Sequence, residues 1–141
     1  MDLVIGRTEE KEFYVDAQEL VTGRTCIIAQ SGAGKSWAIA VISERLCRNG
    51  IGFCLIDTEG EYFSLKDRYS LLWIGSDKHA DCDIDTVDIR DVMTKSIRNS
   101  TAVIFDVSET DMRERVSDLA YILYDIASEV RLPYLLIIEE G

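Results

Sequence analysis

Residues 29–36 read Ala29-Gln30-Ser31-Gly32-Ala33-Gly34-Lys35-Ser36, and this stretch decides the fold. It matches the pattern G-x-x-x-x-G-K-[ST], except that Ala29 replaces the first glycine. An apolar, strand-like run (Thr25–Ala29) precedes it, and a helical pattern begins at Lys35. Glycines in the turn allow successive backbone N–H groups to form a nest for phosphate oxygens, and the helix adds its positive N-terminal end. The stretch therefore predicts a strand, a phosphate-binding turn and a helix.

The side chains of this turn have distinct expected roles. Lys35 is expected to reach the β- and γ-phosphates of a nucleotide, and Ser36 to coordinate Mg²⁺. The Trp37 side chain is expected to pack rather than to stack on a base. The alternative is a glycine turn with a surface lysine. The predicted nucleotide-binding residues are Gln30, Ser31, Gly32, Ala33, Gly34, Lys35, Ser36 and Trp37.

Strand-like and helix-like segments alternate along the rest of the chain. Helices are predicted from Lys35 to Arg48, around Ile89–Ile97 and from Ser108 to Val130, the first of them apolar on nearly all sides and well buried. Residues 78–85 are predicted to be a loop. Strands are predicted at Ile51–Ile56, Leu71–Ile74, Thr101–Val107 and Tyr134–Ile138, with a short one at Glu12–Val15. This alternation predicts an α/β fold with three layers (α/β/α) and a mostly parallel sheet.

Acidic residues follow two of the predicted strands, where ligands gather in parallel sheets. Asp57, Glu59 and Glu61 lie in Asp57-Thr58-Glu59-Gly60-Glu61-Tyr62. They are equally compatible with water or Mg²⁺ binding, with sensing of the phosphate state, and with a solvated turn. Glu139 and Glu140 follow the last strand in a Walker B arrangement, Glu139 taking the usual Asp position. Glu139 is expected to hold the Mg²⁺ shell and Glu140 to act as general base, unless they only solvate a chain end.

Composition narrows the classes of function. The chain has 141 residues and a net charge of −11, which argues against broad adhesion to nucleic acid or anionic membranes. No apolar run is long enough for a membrane span, and no signal peptide is recognised, so a cytoplasmic location is expected. The cysteines have no zinc-type spacing. Asp106 is expected to be structural and His79 a solvated surface residue.

Together, the phosphate loop, Leu55–Tyr62 and Ile137–Glu140 resemble the ATPase core of the HerA/FtsK superfamily, with the closer match to the HerA-like helicase central domain. The resemblance implies a P-loop NTPase of the RecA/ASCE type that uses ATP and Mg²⁺. It further implies a homo-hexameric ring that moves double-stranded DNA, with a NurA-type nuclease as partner of archaeal members. Carried over, it assigns phosphate binding to Gly32, Gly34, Lys35 and Ser36, Mg²⁺ support to Glu139, and the catalytic roles to Lys35 and Glu140.

The resemblance also sets the expected domain limits. Residues 1–141 are expected to form a partial domain, with residues 1–23 as a lead-in and 24–141 as the core through Walker B. The family's later strand, arginine finger and pore loops find no counterpart, so the domain is expected to be C-terminally incomplete, and the isolated chain to lack turnover. Alternatives are a nucleotide-binding assembly module, or a conjugation or virus-packaging ATPase. A regulatory GTPase is disfavoured because no Asn-Lys-x-Asp motif occurs.

Overall fold

A computed structural model describes residues 2–7, 9–18, 35–108, 112–132 and 134–138. Helices and strands alternate through this part of the chain after an initial pair of strands. The strands are β1 (Asp2–Arg7), β2 (Glu12–Asp16), β3 (Phe53–Asp57), β4 (Leu72–Gly75), β5 (Cys82–Asp83), β6 (Val103–Asp106) and β7 (Leu135–Ile138). The helices are α1 (Lys35–Arg48), α2 (Ser64–Arg68), α3 (Ile89–Arg98) and α4 (Met112–Val130).

Five strands form one parallel sheet in the order β5-β4-β6-β3-β7. The pairing of β3 with β6 brings Asp57 opposite Asp106, and the pairing of β3 with β7 brings Ile56 opposite Ile138. This confirms the predicted α/β class with a parallel sheet. The predicted strand Thr25–Ala29 lies outside the described residues.

Side chains of the central strands alternate between two separate cores. Phe53 and Leu55 of β3 pack in a core with α1 and α2, whereas Cys54 and Ile56 pack in a core with α3 and α4. All four are at most 1% exposed. Because both faces of the sheet are covered, the strand is apolar throughout, as the continuous run in the sequence indicates.

The helix ends follow local chemistry. Helix α1 stops at Arg48, where the Asn49 side chain donates a hydrogen bond to the Arg45 carbonyl at 2.7 Å and Gly50 takes a left-handed φ of +68°. Helix α3 begins after Asp88, whose carboxylate accepts a hydrogen bond from the Asp91 amide at 3.1 Å. The predicted end of this helix at Arg48 is confirmed.

Two local features differ from the sequence-based expectations. Strand β1 was not predicted; it pairs antiparallel with β2, and its Leu3 is only 1% exposed in the core beside α1. Within the predicted loop at 78–85, β5 pairs with β4 because the extended chain at Cys82 lies beside Ile74. The hydroxyl of Ser108, where the last helix was predicted to begin, donates a hydrogen bond to Asp106.

Candidate functional site

Helix α1 begins at Lys35, so the described structure places a helix directly after the predicted phosphate loop. Gln30, Ser31, Gly32, Ala33 and Gly34 lie outside the described residues. For Lys35 and Ser36 the structure gives the backbone as the first two residues of the helix. A helix that includes Lys35 agrees with the strand–turn–helix arrangement that phosphate binding requires.

Trp37 was expected to pack, and this is wrong: its side chain is 67% exposed. The reason is its position on the helix. Ile39, Ile42 and Leu46 face the sheet and are at most 6% exposed, whereas Trp37 lies on another stripe of the helix. The other tryptophan, Trp73, is 0% exposed, in agreement with the expectation of packing.

The stripe that carries Trp37 forms one wall of a cleft of about 300 Å³. The opposite wall comes from the acidic turn after β3 and from α2. Tyr62 and Leu65 on that wall are 2% and 6% exposed, so they give the cleft an apolar floor. The lining residues are Trp37, Ala40, Glu44, Glu61, Tyr62, Ser64, Leu65 and Arg68. The cleft therefore joins the start of the predicted phosphate-loop helix to the second predicted motif.

Asp57 holds the acidic turn together from inside. Its Oδ1 accepts hydrogen bonds from the amides of Glu59 (3.1 Å), Gly60 (2.9 Å) and Glu61 (3.3 Å), and its Oδ2 accepts one from the Tyr62 amide (3.2 Å). Asp57 is 0% exposed. Burial raises the pKa of this carboxyl group, and the four N–H donors act in the opposite direction. In this arrangement the carboxylate is an acceptor for the turn's own backbone.

The turn also contacts the end of the neighbouring strand β6. Gly60 has a φ of +72°, and a Cβ atom there would lie 3.2 Å from the Ser108 hydroxyl oxygen. That hydroxyl donates to Asp106 Oδ1 at 2.6 Å, and the Ser108 amide donates to the same oxygen at 3.0 Å. Asp106 thus organises its own turn, which supports the expectation that it is structural.

The comparison with known families matches the description "Helicase HerA, central domain" over residues 3–137. The chain belongs to the HerA helicase central-domain family. No curated protein and no solved structure matches it. Membership of this family makes the chain an ATPase-type domain of the motor class, with a P-loop for nucleotide.

In this HerA central domain, the third predicted motif follows β7. Ile138 ends that strand and pairs with Ile56, the residue before Asp57. Glu139 and Glu140 come next in the sequence and lie outside the described residues. The pairing of β3 with β7 therefore places the residue before Glu139 alongside the residue before Asp57.

The remaining acidic candidates differ in their surroundings. Glu59 and Glu61 are both exposed, but only Glu61 lines the cleft. Glu44, which sequence reasoning missed, also lines the cleft and pairs with Arg48 (3.0 Å) and Arg68 (3.6 Å). The helical spacing from Trp37 to Ala40 and Glu44 is the signal that could have found it.

His79, which the sequence analysis singled out in the HerA central domain, does not line the cleft. His79 is exposed, as expected, with its ring 5.8 Å from the Phe63 ring. Among the described residues, no group of three or more histidine, cysteine or acidic side chains is arranged to hold a metal ion. None of the described helices is long and apolar enough to cross a membrane.

Proposed function

We propose that this chain is the ATP-binding core of a HerA-like motor that hydrolyses ATP in a ring assembly and moves double-stranded DNA. One observation carries the proposal: the first turn of α1, directly after the phosphate-loop sequence, shares a cleft with the acidic turn after β3. Trp37, the residue after the phosphate-loop motif, thus lines the same cleft as Glu61 of the acidic turn, and nucleotides bind at the carboxyl edge of the sheet in such folds.

The described surroundings fit a magnesium nucleotide. The cleft of about 300 Å³ combines an apolar floor with an exposed tryptophan and a carboxylate, as small-molecule sites do. Lys35 and the backbone of Gln30–Gly34 would bind the phosphates, with Trp37 beside the nucleotide. Ser36 and Glu139 would hold Mg²⁺. The ion, when bound, offsets the negative charge of the phosphates.

The chemistry proposed for this chain is water activation. Glu140 accepts a proton from the water that attacks the γ-phosphorus, the bond from that phosphorus to the bridging oxygen breaks so that ADP leaves, and Lys35 stabilises the charge on the phosphate oxygens. Both roles rest on the sequence motifs together with the family. For the acidic turn, enclosure of Asp57 argues for a part in shaping the site.

The proposed assembly is a homo-hexamer in the cytoplasm, with double-stranded DNA as its track and a NurA-type nuclease as a possible working partner. Residues 24–141 would be the core and residues 1–23 the lead-in. The net charge of −11 implies weak DNA binding by a single copy, because phosphate contacts need basic side chains. Isolated chains should therefore show little DNA binding at physiological salt.

Calorimetric titration with a slowly hydrolysed ATP analogue and Mg²⁺ tests the nucleotide site. We expect saturable binding that Lys35→Ala abolishes, since the phosphate contact is lost. Lys78→Ala is the matched control, because Lys78 is exposed and lies outside the cleft. Unchanged binding in Lys35→Ala would refute the assignment. Binding without any turnover, even in a ring with DNA, would favour the assembly-module alternative.

A further inference from the structure

The acidic turn contains three carboxylates that sequence reasoning could not rank, and the structure separates them. Asp57 is fully buried, and its two oxygens accept four backbone N–H groups. Glu59 is exposed and does not line the cleft. Glu61 is exposed and lines the cleft together with Trp37. Only Glu61 is therefore placed to act on a molecule inside the cleft.

The charge of Glu61 is also the one left uncompensated. The cleft's other acid, Glu44, contacts Arg48, Arg68 and the Tyr69 hydroxyl at 3.0, 3.6 and 3.3 Å. Across the described chain, the Glu61 side chain has no ion-pair or hydrogen-bond partner. A single unpaired negative charge beside an anion repels it unless a cation lies between them.

We propose that Glu61 is the carboxylate of this turn that faces the nucleotide phosphates, where it makes nucleotide binding depend on Mg²⁺, and that Asp57 positions it. This inference rests on the proposed nucleotide site. Glu61 opposes metal-free ATP through like-charge repulsion. When the metal nucleotide is bound, the positive charge of Mg²⁺ would offset this repulsion.

Asp57 acts through the backbone of the turn. Its Oδ1 accepts the amide of Glu61 itself, and the neighbouring amide of Tyr62 binds its Oδ2. Gly60, with its left-handed φ, lets the chain turn back so that these amides converge. The direction in which Glu61 leaves the turn is thus set by a buried group that does not line the cleft.

The test compares ATP binding with Mg²⁺ and with EDTA in wild type, Glu61→Gln and Glu59→Gln. We expect Glu61→Gln to bind metal-free ATP about fivefold more tightly, since one nearby like charge is removed. Its affinity for MgATP should stay within about twofold of wild type. Glu59→Gln and the exposed control Asp67→Asn should change neither affinity. A mutation that merely damaged the fold would lower affinity, so the expected gain separates the two explanations.

The positioning role is tested with Asp57→Ala, which removes the acceptor of the Glu61 amide, and, in case that variant does not fold, with Gly60→Ala. Either variant should reduce the ratio of the affinity for MgATP to the affinity for metal-free ATP. Adding Glu61→Gln to either variant should change this ratio no further, because the effects of coupled residues are not additive. Equal effects of Glu61→Gln and Glu59→Gln would overturn the inference. If the wild type binds no ATP at all, the proposed nucleotide site itself is wrong.

Discussion

Asp57→Ala should destabilise the fold by about 3–4 kcal/mol, because it removes the carboxylate that accepts hydrogen bonds from four backbone N–H groups of the turn. A buried N–H donor left without a partner costs about 1–3 kcal/mol, so four such donors would cost more than about 3–4 kcal/mol if no water reached them. Truncation of the side chain lets water reach some of the donors, and it also removes the cost of burying a carboxylate. These two effects bring the expected loss down to about 3–4 kcal/mol.

Urea unfolding followed by circular dichroism at 222 nm measures this loss. In a domain of this size we expect the melting temperature to fall by roughly 6–16 °C. Asp57→Asn should lose less, about 1–2 kcal/mol, since its amide oxygen can keep the three bonds now made to Oδ1. The matched control is Glu59→Ala, at an exposed position of the same turn. A loss below about 0.5 kcal/mol in Asp57→Ala would refute the reasoning.

Three further positions give independent outcomes. Gly52→Ala should lower the free energy of unfolding by about 2 kcal/mol or more in a urea titration, because the new Cβ would lie 2.6 Å from the Ser100 carbonyl carbon. At Gly50 a new Cβ would meet no neighbour, but the backbone has a left-handed φ. Gly50→Ala should therefore lower the free energy of unfolding by about 1 kcal/mol. Burial and Glu44 raise the pKa of Cys47 to about 11, so its alkylation at pH 8 should be slow and should accelerate with pH up to that value. Rapid labelling of native Cys47 at pH 8, at the rate seen in guanidinium, would contradict that assignment.

The alternation of strands and helices could be predicted because each central element carries its own signal. The run from Ile51 to Ile56 is apolar without interruption, and the structure places β3 there, covered on both faces. Asn49 and Gly50 end α1 through local hydrogen bonding and a left-handed φ, and both are visible in the sequence. Local chemistry is sufficient for such elements.

Strand β1 could not be predicted, because its stability depends on contacts distant in sequence. Its polar and apolar residues give no clear period, and the strand is held by pairing with β2 and by α1. The Arg45 Nε donates a hydrogen bond to the Val4 carbonyl at 2.8 Å, across 41 positions. Leu3 then completes the core under α1. Neither contact has a signature near β1 itself.

The candidate site was predictable in its motifs but not in the orientation of its side chains. An apolar run from Trp37 to Ile42 suggests a helix buried all round, yet the sheet covers only one side of α1. The stripe with Trp37 and Ala40 faces α2 across the cleft, and a helix as short as α2, Ser64–Arg68, cannot cover it. The short length of α2 therefore determines which apolar residues of α1 stay exposed.

The spacing of Asp57-x-x-Gly60-Glu61-Tyr62 has a physical explanation that does not depend on any family. A carboxylate can accept the amides of the second to fifth residues after it only if the chain turns back around it. That reversal needs a left-handed φ, found here at Gly60, where a side chain would also press on Ser108. The conformations of Asp57 and Gly60 set the directions of the next two side chains. Glu61 is exposed at the cleft, and Tyr62 is buried beneath it. The motif is therefore a device that presents one carboxylate beside the start of α1, and its spacing follows from the reach of a single aspartate.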